Sequence, residues 1–423
     1  MKIFGQHDLK TIEQFHDVAS RAVDAALMAD GHVGYVMPIG GVAAYREQLS
    51  VVGIGFDIAC GNAAIRTNLT MERVAGVSAA EAAHDPRAVL ESEPVRLLAD
   101  EIQRTISFGV GRVNRDDDAP TEHPLFLDDA WTLVPSANGY RDALWEKARG
   151  QLGTVGSGNH YVDVFYDDAG RIWVGVHFGS RGLGHTIASA FLAISQGLGW
   201  GERAREAEVL LDVRDGAGHD YWHLMELAGK YAYAGREWVA RRVVEILGGR
   251  EEELVHNHHN YAFRESIGGE ELVVVRKGAT PAYPGQLGFV GGSMGDDAVI
   301  VRGAAVDPDE SPELAETQRA ALYSTVHGAG RVMSRTEAAG KKKGWGRKAR
   351  VVKPGKVSPE MMQQWVTRKG VVLRGGGLDE SPHAYRRLPD VLGAQGDTVE
   401  VLHTLHPLIV VMAGENEFDP YKD

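Results

Sequence analysis

The chain has 423 residues, of which 43% are hydrophobic and 24% charged, enough apolar side chains for a large core in one big domain or two tightly joined ones. A formal net charge of -13 excludes a surface coated by nucleic acid, so contact with RNA or DNA has to run through a local basic patch. The single cysteine excludes an intrachain disulfide and a cysteine-only zinc cluster. Residues 1–8 lack a signal peptide's apolar core and no run of ~20 apolar residues is present, which points to the cytoplasm and no membrane span.

Residues 11–28 predict an amphipathic helix, with Ile12, Phe15, Val18, Ala22 and Ala25 roughly on one face and a stop at Asp30-Gly31. Next comes Gly53-Ile54-Gly55-Phe56-Asp57-Ile58-Ala59-Cys60-Gly61-Asn62. Asp57 and Cys60 offer a hard oxygen and a soft thiolate to one place, and a thiolate can bridge two divalent ions. The plainer alternative is a small buried cysteine. Residues 97–106 and 141–150 predict helices, with an acidic loop at Asp116-Asp117-Asp118 between them and a glycine loop at 109–114 placed to approach a substrate.

The run Gln151-Leu152-Gly153-Thr154-Val155-Gly156-Ser157-Gly158 leads into an apparent strand and delivers Asn159 and His160 to its edge. Neither a Walker loop nor a dinucleotide fingerprint is spelled. Arg171-Ile172-Trp173-Val174-Gly175-Val176-His177 alternates as a strand, putting Trp173, Gly175 and His177 on one face, and it ends in a Gly-Ser-Arg-Gly turn carrying Arg181. Residues 221–247 predict the longest helix, in which Tyr231, Tyr233 and Trp238 pack. Val255-His256-Asn257-His258-His259-Asn260 has three histidines in four positions, which favours a metal over an exposed turn.

Ser311-Pro312-Glu313 supplies a cap, a first-turn proline and an acidic residue before the helix leading to His327. His327 itself stands in Ser324-Thr325-Val326-His327-Gly328-Ala329-Gly330-Arg331, where glycines admit a phosphate closely and arginine can clamp it, so it reads as a nucleophile. The basic run 341–350, with Trp345, could neutralise phosphates and stack a base, although such a run is commonly a solvated loop. Strands and helices mix without strict alternation, which predicts an α+β fold: one large domain spanning 1–423, with mixed sheets flanked by helices and a tail at 415–423.

These motifs together resemble the RtcB-type RNA ligases, the tRNA-splicing ligase family. The resemblance runs from Asp30-Gly31-His32-Val33-Gly34-Tyr35 through Arg276-Lys277-Gly278-Ala279-Thr280 and Gly292-Ser293-Met294-Gly295 to Asp379-Glu380-Ser381-Pro382-His383-Ala384-Tyr385. It implies a single RtcB-like catalytic domain in which Asp57, Cys60, His160, His177 and His259 hold two Mn(II) ions with Cys60 bridging. His327 would attack the α-phosphorus of GTP, with Asp30 orienting it. The GMP then passes to an RNA 3′-phosphate, or an end that began as a 2′,3′-cyclic phosphate, and a 5′-hydroxyl displaces it, in RNA repair or tRNA splicing. By the same resemblance Asn159, Tyr161, Asp163, Asn260, Ser293, Ala329, Gly330 and Tyr385 bind the nucleotide. Arg181, Lys277 and His32 take RNA or terminal phosphate, and an archease-like activator is an expected partner. Oligomeric state is not readable from the chain.

Four departures set this chain apart from the family pattern. No lysine follows the terminal apolar strand Leu408-Ile409-Val410-Val411, Asp163 stands for a usual Glu, Ala298 for a common pocket serine, and Gly291-Gly292 for Pro-Gly. They leave ATP as an alternative to GTP, and 3′-phosphate capping without sealing, or a non-catalytic RNA-binding or metal-binding paralogue, as alternative functions. A lysine-adenylating ligase is disfavoured, because Asp30-Gly31 is preceded by Met28-Ala29 rather than by the Lys-x of that motif.

Overall fold

The computed structural model describes residues 1–343 and 350–414; Trp345 with the centre of the basic run, and Lys422 with the tail from 415, lie outside the described residues. Two sheets organise the chain. The larger runs Leu287–Val290, Ala298–Gly303, Val399–Met412, Tyr161–Asp167, Arg171–Phe178, Gly61–Thr70, Glu251–His258, each strand antiparallel to the next, with Val372–Arg374 pairing parallel to Val399–Met412. The smaller runs Lys2–Ile3, Asp24–His32, Ile39–Tyr45, Glu270–Lys277, Asn260–Ile267. His259 is the one residue between the end of a strand in the large sheet and the start of a strand in the small one. The two sheets therefore meet at a histidine.

Helices cover the sheets, giving the α+β architecture that the mixed pattern predicts. The predicted helices at 97–106, 141–150 and 221–247 are found as Glu93–Thr105, Tyr140–Gln151 and Gly216–Ile246. Arg181–Ser195 lies beside Gly216–Ile246, and Phe191, Leu192, Tyr221, Leu224, Met225 and Ala228 belong to one apolar cluster between them. Tyr231 is buried in the same cluster, as the packing role predicts. Ser311 does occupy the cap of Pro312–Ala320, but its side chain makes no capping hydrogen bond.

The predicted helix at 11–28 is half wrong. The helix is Leu9–Ala19, capped by Asp8, whose Oδ1 accepts from the Thr11 amide at 3.0 Å, a bond worth about 1 kcal/mol. Asp24–His32 is instead a strand, with Ala25, Ala26 and Leu27 opposite Ala43, Val42 and Gly41. Residues 25–31 are all buried, and a segment covered on both faces needs no amphipathic stripe. Alanine, leucine and methionine favour a helix intrinsically, but burial between partners overrides a preference of a few tenths of a kcal/mol per residue. The strand carries Asp30 into the interior.

Candidate active site

Asp57 and Cys60 sit on a tight turn after the short helix Val51–Ile54, closed by the Cys60 amide donating to the Asp57 carbonyl at 3.1 Å. Ala59 holds a left-handed conformation there, at φ 59°, a strain that such sites tolerate when the surroundings enforce it. Gly179 makes room for the turn: a Cβ on it would lie 2.2 Å from Asp57 Oδ1. The Cys60 Sγ stands 3.7 Å from Nε2 of His160 and 3.7 Å from Nε2 of His177, and His160 Nε2 stands 3.1 Å from Asp57 Oδ2. Among the described residues, Cys60, His160 and His177 each present a ligand atom within 4.8 Å of the others.

His177 ends its strand opposite Asn62, whose Oδ1 accepts from His177 Nδ1 at 2.5 Å. That bond fixes the ring and turns Nε2 toward Cys60. His259, at the seam between the sheets, stacks on His177 at 5.1 Å between centroids and approaches His327 at 4.8 Å. His327 follows the strand Ser324–Val326, and its Nδ1 lies 2.6 Å from Oδ2 of Asp30. The same oxygen accepts from the His327 amide at 3.1 Å and the Gly328 amide at 3.3 Å. Asp30 is fully buried, so this carboxylate holds the His327 backbone in place and stands against Nδ1 of its imidazole.

Burial dominates the electrostatics. It pushes the Cys60 thiol well up, with Asp57 adding to the effect, and holds His177 and His259 well below the usual imidazole range. Burial also works to raise Asp57, but the His160 hydrogen bond and charge, with Arg181, bring it below its ordinary value. His177 and His259 are therefore neutral and able to donate lone pairs. The thiol would need a nearby cation to ionise.

These side chains open onto a cavity of about 1040 Å³, and every site residue that the family resemblance implies lines it except Asp30, which stands behind His327. Asn159 Nδ2 reaches His177 Nε2 at 3.4 Å. Asn260 spends its amide on backbone, accepting from Gly278 N at 2.7 Å and donating to the Asp57 carbonyl at 3.4 Å. Ser293 Oγ bonds Asp296. Tyr385 lies under the Arg331 guanidinium at 4.8 Å and bonds Glu380. Gly330, at φ +71°, passes so close to Asp30 that a Cβ would meet its carbonyl oxygen at 2.3 Å, while Ala329 is buried beside it. Arg181 opens its helix in a left-handed conformation, φ 54°, and its Nη2 donates to the Gly109 carbonyl at 3.2 Å. Lys277 Nζ donates to the Val52 carbonyl at 3.1 Å, and burial lowers its ammonium to about 8. Burial takes His32 down to about 4, so it offers hydrogen bonds rather than charge.

The chain matches the family model described as tRNA-splicing ligase RtcB over residues 12–413. It is 30% identical to the RNA-splicing ligase RtcB of Escherichia coli (strain K12), over 91% of this chain and 89% of that protein. The chain belongs to the RtcB family. Its identity to the tRNA-splicing ligase RtcB of Thermococcus kodakarensis is 29%, over 90% of this chain and 86% of that one.

Within this RtcB chain the structure corrects two readings. Of the three clustered histidines only His259 faces the cavity; His256 and His258 point to the other side of their strand and hold Arg236. Ala298 lies in an apolar cluster with Phe165, Trp173 and Phe289, away from the cavity wall, so a hydroxyl missing there costs the pocket nothing. Asp163, Gly291 and Gly292 do line the cavity, and so does Met412 at the end of the lysine-free terminal strand.

Two supporting residues went unnoticed in the sequence. Asn62 was visible only as a neighbour of Cys60. Arg236, within a long helix, has the look of a solvated charge, yet it is fully buried. Its guanidinium donates to the carbonyls of Ala59 at 2.9 Å and Phe178 at 2.6 Å, and it contacts His256 Nε2 at 2.8 Å and His258 Nδ1 at 2.9 Å. It thus ties the Cys60 turn to the end of the His177 strand, while Tyr233 stacks on His258 at 3.9 Å.

This arrangement makes the fold acid-sensitive. Burial and Arg236 lower His256 to about 3 and His258 well below its ordinary value. Below pH ~6.5 the unfolded chain takes up protons that the folded chain refuses, so stability is complete above that pH and is lost as pH falls toward the folded values. Each such histidine contributes a slope of about 1.4 kcal/mol per pH unit. Thermal melts at pH 7.5, 6.5 and 5.5 should show a Tm falling at each acid step; a constant Tm would contradict neutral buried rings.

Proposed function

We propose that this chain is an RNA ligase that uses Mn(II) and GTP to join RNA 3′-phosphate or 2′,3′-cyclic phosphate ends to 5′-hydroxyl ends through a guanylylated His327. The observation that carries the reading is the buried Asp30 carboxylate at 2.6 Å from His327 Nδ1. With Nδ1–H donated to Asp30, the lone pair on Nε2 is free to act as nucleophile. It attacks the α-phosphorus of GTP, the bond to the β-phosphate oxygen breaks, and pyrophosphate leaves. Asp30 stabilises the cationic ring that forms. An RNA 3′-phosphate oxygen then takes the GMP from His327, and a 5′-hydroxyl attacks the activated phosphorus, forming the phosphodiester and releasing GMP.

The donor set fits divalent metal. His160 and the buried His177 direct Nε2 at one sulfur beside a carboxylate, and Nδ1 of His259 is buried with no hydrogen-bond partner. Asp57, Cys60, His160, His177 and His259 would hold the two ions. When bound, such ions neutralise charge on the phosphates and leaving group. Cys60→Ala should therefore lower bound Mn(II) measured by elemental analysis by roughly 10-fold or more, as no neutral side chain substitutes for the thiolate. Unchanged metal content would remove Cys60 from the ligand set.

Nucleotide choice follows from the cavity wall. Asp163 Oδ1 and the Tyr161 hydroxyl are buried without a hydrogen-bond partner, and burial drives the Asp163 carboxyl well up, so it enters as a neutral group able to donate. With no lysine on the terminal strand, selectivity for GTP over ATP is relaxed. Intact-mass measurement after incubation with Mn(II) and either nucleotide tests the whole reading. A GMP adduct supports it, a comparable AMP adduct supports the relaxed pocket, and no adduct with either nucleotide defeats it.

A further inference from the structure

The long helix Gly216–Ile246 carries two histidines one turn apart that ligation does not use. His219 and His223 are half exposed, at 49% and 44% of their side chains, and neither lines the cavity. Arg236 lies about 20 Å farther along the same helix. Their Nε2 atoms face each other at 3.2 Å, and the ring centroids are 4.5 Å apart. Behind each ring stands a carboxylate: His219 Nδ1 is 3.3 Å from Asp220 Oδ1, and His223 Nδ1 is 3.3 Å from Glu226 Oε2.

A neutral imidazole donates from one nitrogen and accepts on the other. His219 Nδ1 hydrogen-bonds Asp220 and His223 Nδ1 lies within ion-pair reach of Glu226, which favours the tautomer in which both Nε2 lone pairs face each other. In that tautomer a proton or a metal ion between the two lone pairs relieves their repulsion; with one ring in the other tautomer, its Nε2–H donates to its neighbour instead. Two imidazole nitrogens on one tetrahedral Zn(II), each at about 2.0–2.1 Å, lie about 3.3 Å apart, close to the 3.2 Å found here. The i, i+4 spacing supplies that separation without rearranging the backbone. Carboxylates behind the Nδ1 atoms fix the tautomer and raise the basicity of the ligating nitrogen.

We propose that His219 and His223 form a surface site for a divalent transition ion that prefers imidazole, namely Zn(II), Ni(II) or Cu(II), with Asp220 and Glu226 as outer partners and water completing the coordination. Hard ions such as Mg(II) bind oxygen in preference and are poor occupants. The site is chemically separate from the buried cavity, where sulfur and carboxylate join the imidazoles.

Equilibrium dialysis of chelator-treated full-length protein against Zn(II) at pH 7.5 tests the site. Wild type should bind one ion more than His219→Gln or His223→Gln at the same free zinc, with unchanged melting temperature confirming that the variants fold. Asp220→Asn and Glu226→Gln should keep the ion but bind it about 10-fold more weakly. Zinc content and affinity identical in wild type and His223→Gln would overturn the proposal, since a pair that shares only a proton gives that result.

Discussion

His327→Ala is expected to abolish the covalent nucleotide adduct and to lower RNA joining by on the order of 10⁴-fold or more, the scale on which removal of a nucleophile acts. The imidazole is held by an aspartate on one side and opens onto the cavity on the other, and no other described histidine has a buried carboxylate so placed. Bound metal should change little, since His327 Nδ1 is engaged with Asp30 and the Cys60, His160 and His177 donors converge without it. Asp30→Asn should keep the ring in place but present the wrong tautomer, costing up to about 10⁴-fold. Intact mass with Mn(II) and GTP, read beside elemental analysis of the same samples, gives both quantities. Full adduct formation by His327→Ala would end the assignment.

Arg236→Met should destabilise the fold by roughly 3–5 kcal/mol, the range found when one partner of a buried charged network is removed. The shape of the side chain is roughly kept, but the carbonyls of Ala59 and Phe178 and the inner nitrogens of His256 and His258 lose their donor. At about 2.1 cal/mol/K of unfolding entropy per residue, that loss lowers Tm by about 5 °C. Calorimetry reads the shift. Because Arg236 ties the Cys60 turn to the His177 strand, Mn(II) content should fall with it, and a variant with unaltered Tm would show that the guanidinium carries no weight.

The chemistry was legible because rare residue types carry it. Cys60, His160, His177, His259 and His327 stand out among their glycine neighbours, and these five converge on one cavity. What supports them was harder to see. Asp24–His32 is built from good helix formers, and only its burial between partner strands makes it extended. Arg236 has the composition of a solvated helix around it, and its partners come from three distant segments. His256 and His258 could have been separated from His259 by strand alternation alone, since positions two apart share a face. Ala298 shows the opposite error: correspondence along the chain suggested a pocket position, and the pleat of its strand turned the side chain into the core.

The strand Val399–Met412 lies between Ala298–Gly303 and Tyr161–Asp167 in the interior of the large sheet. More than half the chain separates it from the second of these neighbours. During synthesis at ~5–20 residues per second, the sheet that presents His160 and His177 must wait many seconds with an unsatisfied edge, exposed to whatever strand arrives first. Completion of the sheet that carries the site is thus a late event in the synthesis of each molecule.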